Sequence, residues 1–108
     1  MHSTVQALPE VQFLTSGQVS EAERAAAERA LAAALEGVRG RVGSARVTLS
    51  VLADAALPRP ALAQAVVRID GRKVRAQAAA PTLAEAIGLL HERLVLRISH
   101  LRTDLRTA

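Results

Sequence analysis

The chain contains no cysteine, tryptophan or tyrosine, and Phe13 is its single aromatic residue. Without cysteine there is no disulfide framework, no thiol nucleophile and no thiolate metal site, which fits a reducing compartment. Without exposed aromatic rings, a protein cannot stack nucleic-acid bases as many single-strand RNA-binding domains do. The composition therefore excludes disulfide scaffolds, cysteine enzymes and base-stacking domains.

Long apolar runs are also absent, since no stretch approaches the roughly 18 consecutive apolar residues of a membrane helix. Residues 1–9 lack the basic start and apolar run of a signal peptide. We therefore expect a soluble, cytoplasmic protein without a membrane partner. A length of 108 residues predicts one domain. Its expected organisation is a flexible N-terminus over residues 1–9 and a single domain over residues 10–106.

Catalytic motifs are lacking as well. The sequence has no nucleophile elbow, phosphate-binding loop or paired carboxylates. His91 and His100 fall on opposite sides of a helix and have no third partner, which argues against a metal site. Gly37 and Gly40 form a bare GxxG that we interpret as a helix C-cap followed by a turn. We expect no enzyme activity, no metal and no cofactor.

Positive charge is unevenly distributed along the chain. Residues 61–108 carry eight Arg or Lys against four acids, and residues 1–60 carry six of each, so the net charge of +4 lies in the second half. A clustered field of one sign attracts a polyanion more effectively than a high count of dispersed charges. Because thirteen of the fourteen basic residues are Arg, the alternative that the excess of Arg reflects the nucleotide composition of the genome stays open.

Local patterns predict the element order β-α-β-β-β-α, an α+β fold. Ser20 with Glu23, and Thr82 with Glu85, are capping boxes that begin two helices. Asp70-Gly71 predicts a type I′ hairpin, because both central residues of that turn need positive φ. The predicted strands cover residues 11–15, 44–52, 62–69 and 72–78, and the helices follow Ser20 and Thr82.

The apolar stripes of both helices must pack on one face of a mostly antiparallel four-stranded sheet, which leaves the other face open. The alternation of side chains places one apolar set inward: Ala63, Ala65, Val67, Ile69, Val74, Ala76 and Ala78. It places another set outward: Arg46, Thr48, Ser50, Gln64, Arg68, Lys73, Arg75 and Gln77. No carboxylate is among the outward eight, whereas an ordinary solvated face mixes both signs.

The second helix adds positive charge beside its apolar stripe of Leu83, Ala86, Ile87, Leu90, Leu94, Ile98, Leu101 and Leu105. At about 100° per residue, Arg93, Arg97 and His100 follow one flank of the stripe, and His91, Arg102 and Arg106 follow the other. The alternative is that arginines near the C-terminus complement the helix dipole. The candidate RNA-binding residues are Arg46, Arg68, Arg72, Lys73, Arg75, Arg93, Arg97 and Arg102. A second hypothesis is a homodimerisation module that uses the open sheet face, or Leu89 and Leu96.

Four segments resemble the N-terminal domain of the ribosome hibernation promoting factors, also called ribosome-associated translation inhibitors. They are Ser-Ala-Arg-Val-Thr-Leu at residues 44–49, Val-Arg-Ala-Gln-Ala at 74–78, Leu-Ala-Glu-Ala-Ile at 83–87, and the spacing of Arg93, Leu94, Ile98 and Arg102. The resemblance covers about residues 10 to 103. It is strongest to the actinobacterial, dormancy-associated members, which share the Arg-Ala-Gln-Ala strand.

The resemblance implies a fold similar to double-stranded RNA-binding domains. It also implies binding to rRNA of the small ribosomal subunit, where the domain would block the mRNA channel during stress. This chain departs from common members at Ala84 and Gly88, where they carry Tyr and Asp, and at Ser99, where a basic residue is usual. Long members continue into a second, ribosome-pairing domain, so a chain ending at Ala108 predicts a short form or an N-terminal domain.

Overall fold

The chain folds in the predicted order β-α-β-β-β-α, an α+β architecture. The computed structural model describes residues 11–38, 40–54 and 56–107, with side chains up to residue 101, so the predicted N-terminal segment 1–9 lies outside it. The elements are β1 Val11–Ser16, α1 Glu21–Leu35, β2 Val42–Val51, β3 Ala61–Ile69, β4 Arg72–Ala80 and α2 Leu83–Thr107.

The four strands form one mixed sheet in the order β1-β2-β3-β4. β1 runs parallel to β2, and the other neighbouring pairs are antiparallel. Asp70 and Gly71 join β3 to β4 with φ of 52° and 80°, as the predicted type I′ turn requires. Ile69 pairs with Arg72 directly beside this turn, which fixes the register of the hairpin.

Both predicted capping boxes are present. The Ser20 hydroxyl accepts from the Glu23 N–H at 3.1 Å, and the Glu23 carboxylate accepts from the Ser20 N–H at 2.8 Å. Thr82 and Glu85 make the equivalent pair, at 3.2 and 3.3 Å. These bonds satisfy backbone donors that a helix start otherwise leaves without partners.

Several boundaries differ from the expectation. β2 begins at Val42 instead of Ser44 because its register shifts between Val42 and Ala45, and a bulge hides the period of two. α1 ends at Leu35, where the Val38 N–H donates to the Leu35 carbonyl at 3.1 Å. Gly37 lies just beyond the end and does not adopt positive φ, so it is not a left-handed C-cap.

Both helices lie on the same face of the sheet, and α2 packs over β4 and β3 and against α1. Every residue predicted to point inward from β3 and β4 is buried, as are the stripe residues of α2 up to Leu101. β3 and β4 present mainly small side chains to the helices: Ala61, Ala63, Ala65, Ala76, Ala78 and Ala80. Within the described residues, no helix is long and apolar enough to cross a bilayer.

Candidate nucleic-acid interface

The open face of the sheet carries a row of residues that crosses three strands. Arg46 on β2 pairs with Val66 on β3, which pairs with Arg75 on β4. Since neighbouring strands lie about 4.8 Å apart, the two arginine backbones are roughly 10 Å from each other. Two cationic side chains thus project from one row of the sheet.

A second row brings two cations closer together. Arg68 and Lys73 are direct cross-strand partners, a position in which side chains start about 5 Å apart and like charges destabilise the pair. The Arg68 guanidinium lies 3.4 Å from the Gly71 carbonyl oxygen, which accepts a long hydrogen bond from it. An anion bound between these side chains would relieve the repulsion.

The neighbouring strand β1 positions one arginine of this face. The Gln12 side-chain oxygen accepts a 3.2 Å hydrogen bond from Arg46 Nε, because parallel pairing places Gln12 beside Arg46. A shallow depression of about 420 Å³ lies on the open face and extends across all four strands. Its lining includes Gln12, Arg46, Arg68, Lys73 and Arg75. We call it the sheet-face depression.

A second depression lies where α2 overhangs β4, the last strand of the sheet. Arg93 Nη1 donates a 2.8 Å hydrogen bond to the Gln77 carbonyl oxygen and thereby ties the helix to the strand. The resulting groove has a volume of about 570 Å³. We call it the edge groove, and its lining includes Arg75, Gln77, Arg93, Leu96, Arg97 and His100.

Arg75 joins the two depressions, because it lines both of them. The positive surface therefore continues from the open sheet face, around the edge of β4, to the flank of α2. We call this surface the basic strip, and it consists of Arg46, Arg68, Lys73, Arg75, Arg93 and Arg97. All six side chains are exposed.

No carboxylate lines either depression, and within the described residues no ion pair involves a member of the basic strip. Acids appear beyond Arg93, where a third depression of about 550 Å³ includes Glu85, Glu92 and Arg59. Arg93 therefore marks the end of the uniformly positive surface.

Two of the predicted RNA-binding residues do not join the strip. Arg72 follows the alternation of Val74 and Ala76, whose side chains point toward the helices, so it lies on the other side of β4 from Lys73. The side chain of Arg102 lies outside the described part of the chain. The other six predicted residues are together.

Sequence patterns missed two groups that shape the surface. Gln12 became a partner of Arg46 only through the parallel pairing of β1 with β2. Leu96, assigned to a separate apolar patch, lines the edge groove and is 57% exposed.

Among the described residues, no three His, Asp, Glu or Cys side chains come together as a metal site. The chemistry that the strip offers is charge and hydrogen-bond donation to phosphate.

Two solved structures of other proteins have a fold similar to that of this chain. The sequence matches no protein-family model and no curated protein. The structure is similar to a crystal structure of the N-terminal domain of Protein Y from Thermus thermophilus, with a TM-score of 0.67 and 25% identity over 84% of this chain and 97% of that one. It is also similar to a ribosomal subunit interface protein from Coxiella burnetii, with a TM-score of 0.72 and 18% identity over 89% of this chain and 99% of that one. The similarity to these two structures supports the resemblance to the hibernation promoting factors.

Proposed function

We propose that this chain is a non-enzymatic, ribosome-binding translation inhibitor of the hibernation-factor type. It binds rRNA of the small ribosomal subunit through the basic strip and occupies the mRNA channel in stressed or dormant cells. The observation that carries the proposal is the continuity of the strip, with Arg75 shared by the sheet-face depression and the edge groove.

The charge arrangement supports an RNA partner. Arg68 and Lys73 repel each other across neighbouring strands, and no described carboxylate neutralises them. Phosphate groups of RNA would relieve this repulsion and release condensed counterions, which is the main source of non-specific affinity for nucleic acids. With one aromatic residue in the chain, recognition rests on phosphate, ribose and shape, the contacts suited to structured RNA.

The structural neighbours support the ribosome as the source of that RNA. One of them is, by its name, a ribosomal subunit interface protein, and the other is the N-terminal domain of Protein Y. Each of these two proteins can be superimposed on this chain over nearly its whole length. A protein with this target acts in the cytoplasm, where ribosomes work.

The alternative of a homodimer through the open face is less compatible with the charges. Two copies in contact there would bring Arg68 and Lys73 of each against the same cations of the other. Such a dimer would need an anion between its halves, whereas rRNA supplies a phosphate at every nucleotide of its backbone.

Co-sedimentation with isolated small and large ribosomal subunits tests the proposal. We expect the chain to pellet with small subunits and to dissociate as salt rises, with a log-log slope of roughly 0.7 to 0.9 per neutralised phosphate. Binding that does not change with salt, or a dimer that forms without ribosomes and is insensitive to salt, would instead support the dimerisation module.

A further inference from the structure

We propose that the free edge of β4 also binds an acidic, extended peptide segment of another protein. The segment adds as a further strand beside β4, in the edge groove under the flank of α2. This is an interaction surface distinct in kind from RNA binding, because it uses the backbone of β4 as well as its side chains.

The backbone groups at this edge follow from the hairpin register. β4 is the last strand of the sheet, and Ile69 and Arg72 close a two-residue turn. In such a hairpin the closing pair exchanges hydrogen bonds, and alternate residues thereafter point their N–H and C=O away from the partner strand. Lys73, Arg75 and Gln77 therefore direct their backbone groups to the free edge.

A hydrogen bond from α2 agrees with this assignment. The Gln77 carbonyl oxygen accepts from Arg93, which it could not do in this way if it faced β3. Within the described residues no other strand lies beside β4. The backbone groups of Lys73 and Arg75 remain available to an incoming chain.

These groups favour a peptide over RNA as the occupant. The free edge of a strand presents donors and acceptors in alternation, and an added strand offers both in return at the same spacing. Phosphate oxygens only accept hydrogen bonds, so RNA could donate to the edge carbonyls only through ribose 2′-OH groups, which do not repeat at the spacing of a strand. Leu96, 57% exposed in the edge groove, also offers contact to an apolar side chain instead of to a phosphate.

The surrounding charges favour acidic residues in the peptide. Side chains of an added strand point alternately to the two faces of the sheet. On one face they would meet Lys73 and Arg75, which line the sheet-face depression, and on the other Arg93, Arg97 and His100, which line the edge groove. The same cations oppose pairing of β4 with the β4 of a second copy, which is how edge strands commonly avoid self-association.

A blocked eight-residue peptide of alternating Glu and Val is a suitable probe. We expect it to bind the purified chain, to slow hydrogen exchange of the Arg75 amide and to shift its NMR resonance. Arg75→Ala and Arg75→Pro remove the same charge, but only the proline removes the edge N–H, and it spares the bonds to β3. The peptide should bind Arg75→Pro about three- to tenfold more weakly than Arg75→Ala, the range expected for one lost hydrogen bond.

A second measurement leaves the protein unchanged. The same peptide with N-methyl groups on alternate residues keeps its charge but loses the donors of one edge. It should bind the wild-type chain at least about fivefold more weakly, since the hydrogen bonds to the Lys73 and Arg75 carbonyls are lost together. Equal binding of the methylated and unmethylated peptides would overturn the proposal and leave only charge attraction. Protection of the Arg75 amide by an RNA oligonucleotide and not by the peptide would also overturn it, and would assign the edge to RNA.

Discussion

The guanidinium of Arg93 donates a 2.8 Å hydrogen bond to the carbonyl oxygen of Gln77, which joins the middle of α2 to the free edge of β4. A guanidinium has five N–H donors, so this bond uses one and leaves four on a side chain that lines the edge groove. The cationic flank of the helix is therefore held at a fixed distance from the cations of the sheet, and the basic strip behaves as one surface.

The first prediction concerns the sheet face. Changing Arg68, Lys73 and Arg75 to Glu should abolish co-sedimentation with small ribosomal subunits, because the middle of the strip becomes negative where phosphates are expected. The melting temperature should change little, since solvated surface charges contribute little to stability.

A matched control carries the same change in charge elsewhere. Arg24, Arg29 and Arg59 are exposed residues outside the basic strip, and their replacement by Glu should leave most of the binding intact. Equal loss in both triple variants would mean that only net charge matters. Full binding by a folded Arg68, Lys73 and Arg75 variant would exclude the proposed face.

The second prediction concerns the core under α2. Leu94 and Ile98 are 1% and 6% exposed, so replacing either with Ala should lower the free energy of unfolding by about 2 to 5 kcal/mol. Leu96, on the same helix but 57% exposed, is the control and should lose less than about 0.5 kcal/mol as Ala. Urea denaturation measures all three, and similar losses at all positions would contradict this packing.

The third prediction compares two glycines. Gly88 lies in α2 with open space where a Cβ would be, so Gly88→Ala should stabilise the protein by about 0.5 to 1 kcal/mol. Gly17 has a φ of 82°, and a Cβ there would overlap the Val51 carbonyl oxygen. Gly17→Ala should therefore destabilise by on the order of 1 to 3 kcal/mol. Thermal and urea unfolding measure both variants. If the two substitutions changed the stability in the same direction, this account of the turn between β1 and α1 would be wrong.

The fourth prediction concerns activity. A domain that occupies the mRNA channel competes sterically and needs no turnover, so the chain should inhibit cell-free bacterial translation at close to one protein per ribosome. Inhibition should weaken as salt rises, because phosphate contacts exchange with ions. Unaffected translation at a tenfold excess of protein over ribosomes would count against the inhibitor.

Local signals predicted much of the fold. Ser20 with Glu23, and Asp70 with Gly71, act within a few residues, and the alternation along β3 and β4 identified the buried face because burial there follows a period of two from Ala61 to Ile69 and from Lys73 to Ala80. The cations of the open face were predicted for the same reason. The bulge after Val42 broke the period, and the start of β2 was therefore misplaced.

Contacts between distant residues could not be predicted from such signals. The bond from Arg46 to Gln12 depends on the parallel pairing of β1, and the bond from Arg93 to Gln77 depends on where α2 crosses the sheet. Arg72 and Lys73 were both predicted to bind RNA, although neighbours on a strand point to opposite faces.

The buried alanines that β3 and β4 present to the helices have a consequence for the outer surface. Small side chains such as Ala76, 4% exposed, let α2 approach the sheet closely, and this approach brings Arg93 within reach of Gln77. A larger residue at position 76 would lift the helix, lengthen that bond and widen the edge groove. The volume of an almost wholly buried side chain thus sets the spacing between the helix cations and the sheet cations, so selection for binding would act on the packing of the interior as well as on the arginines.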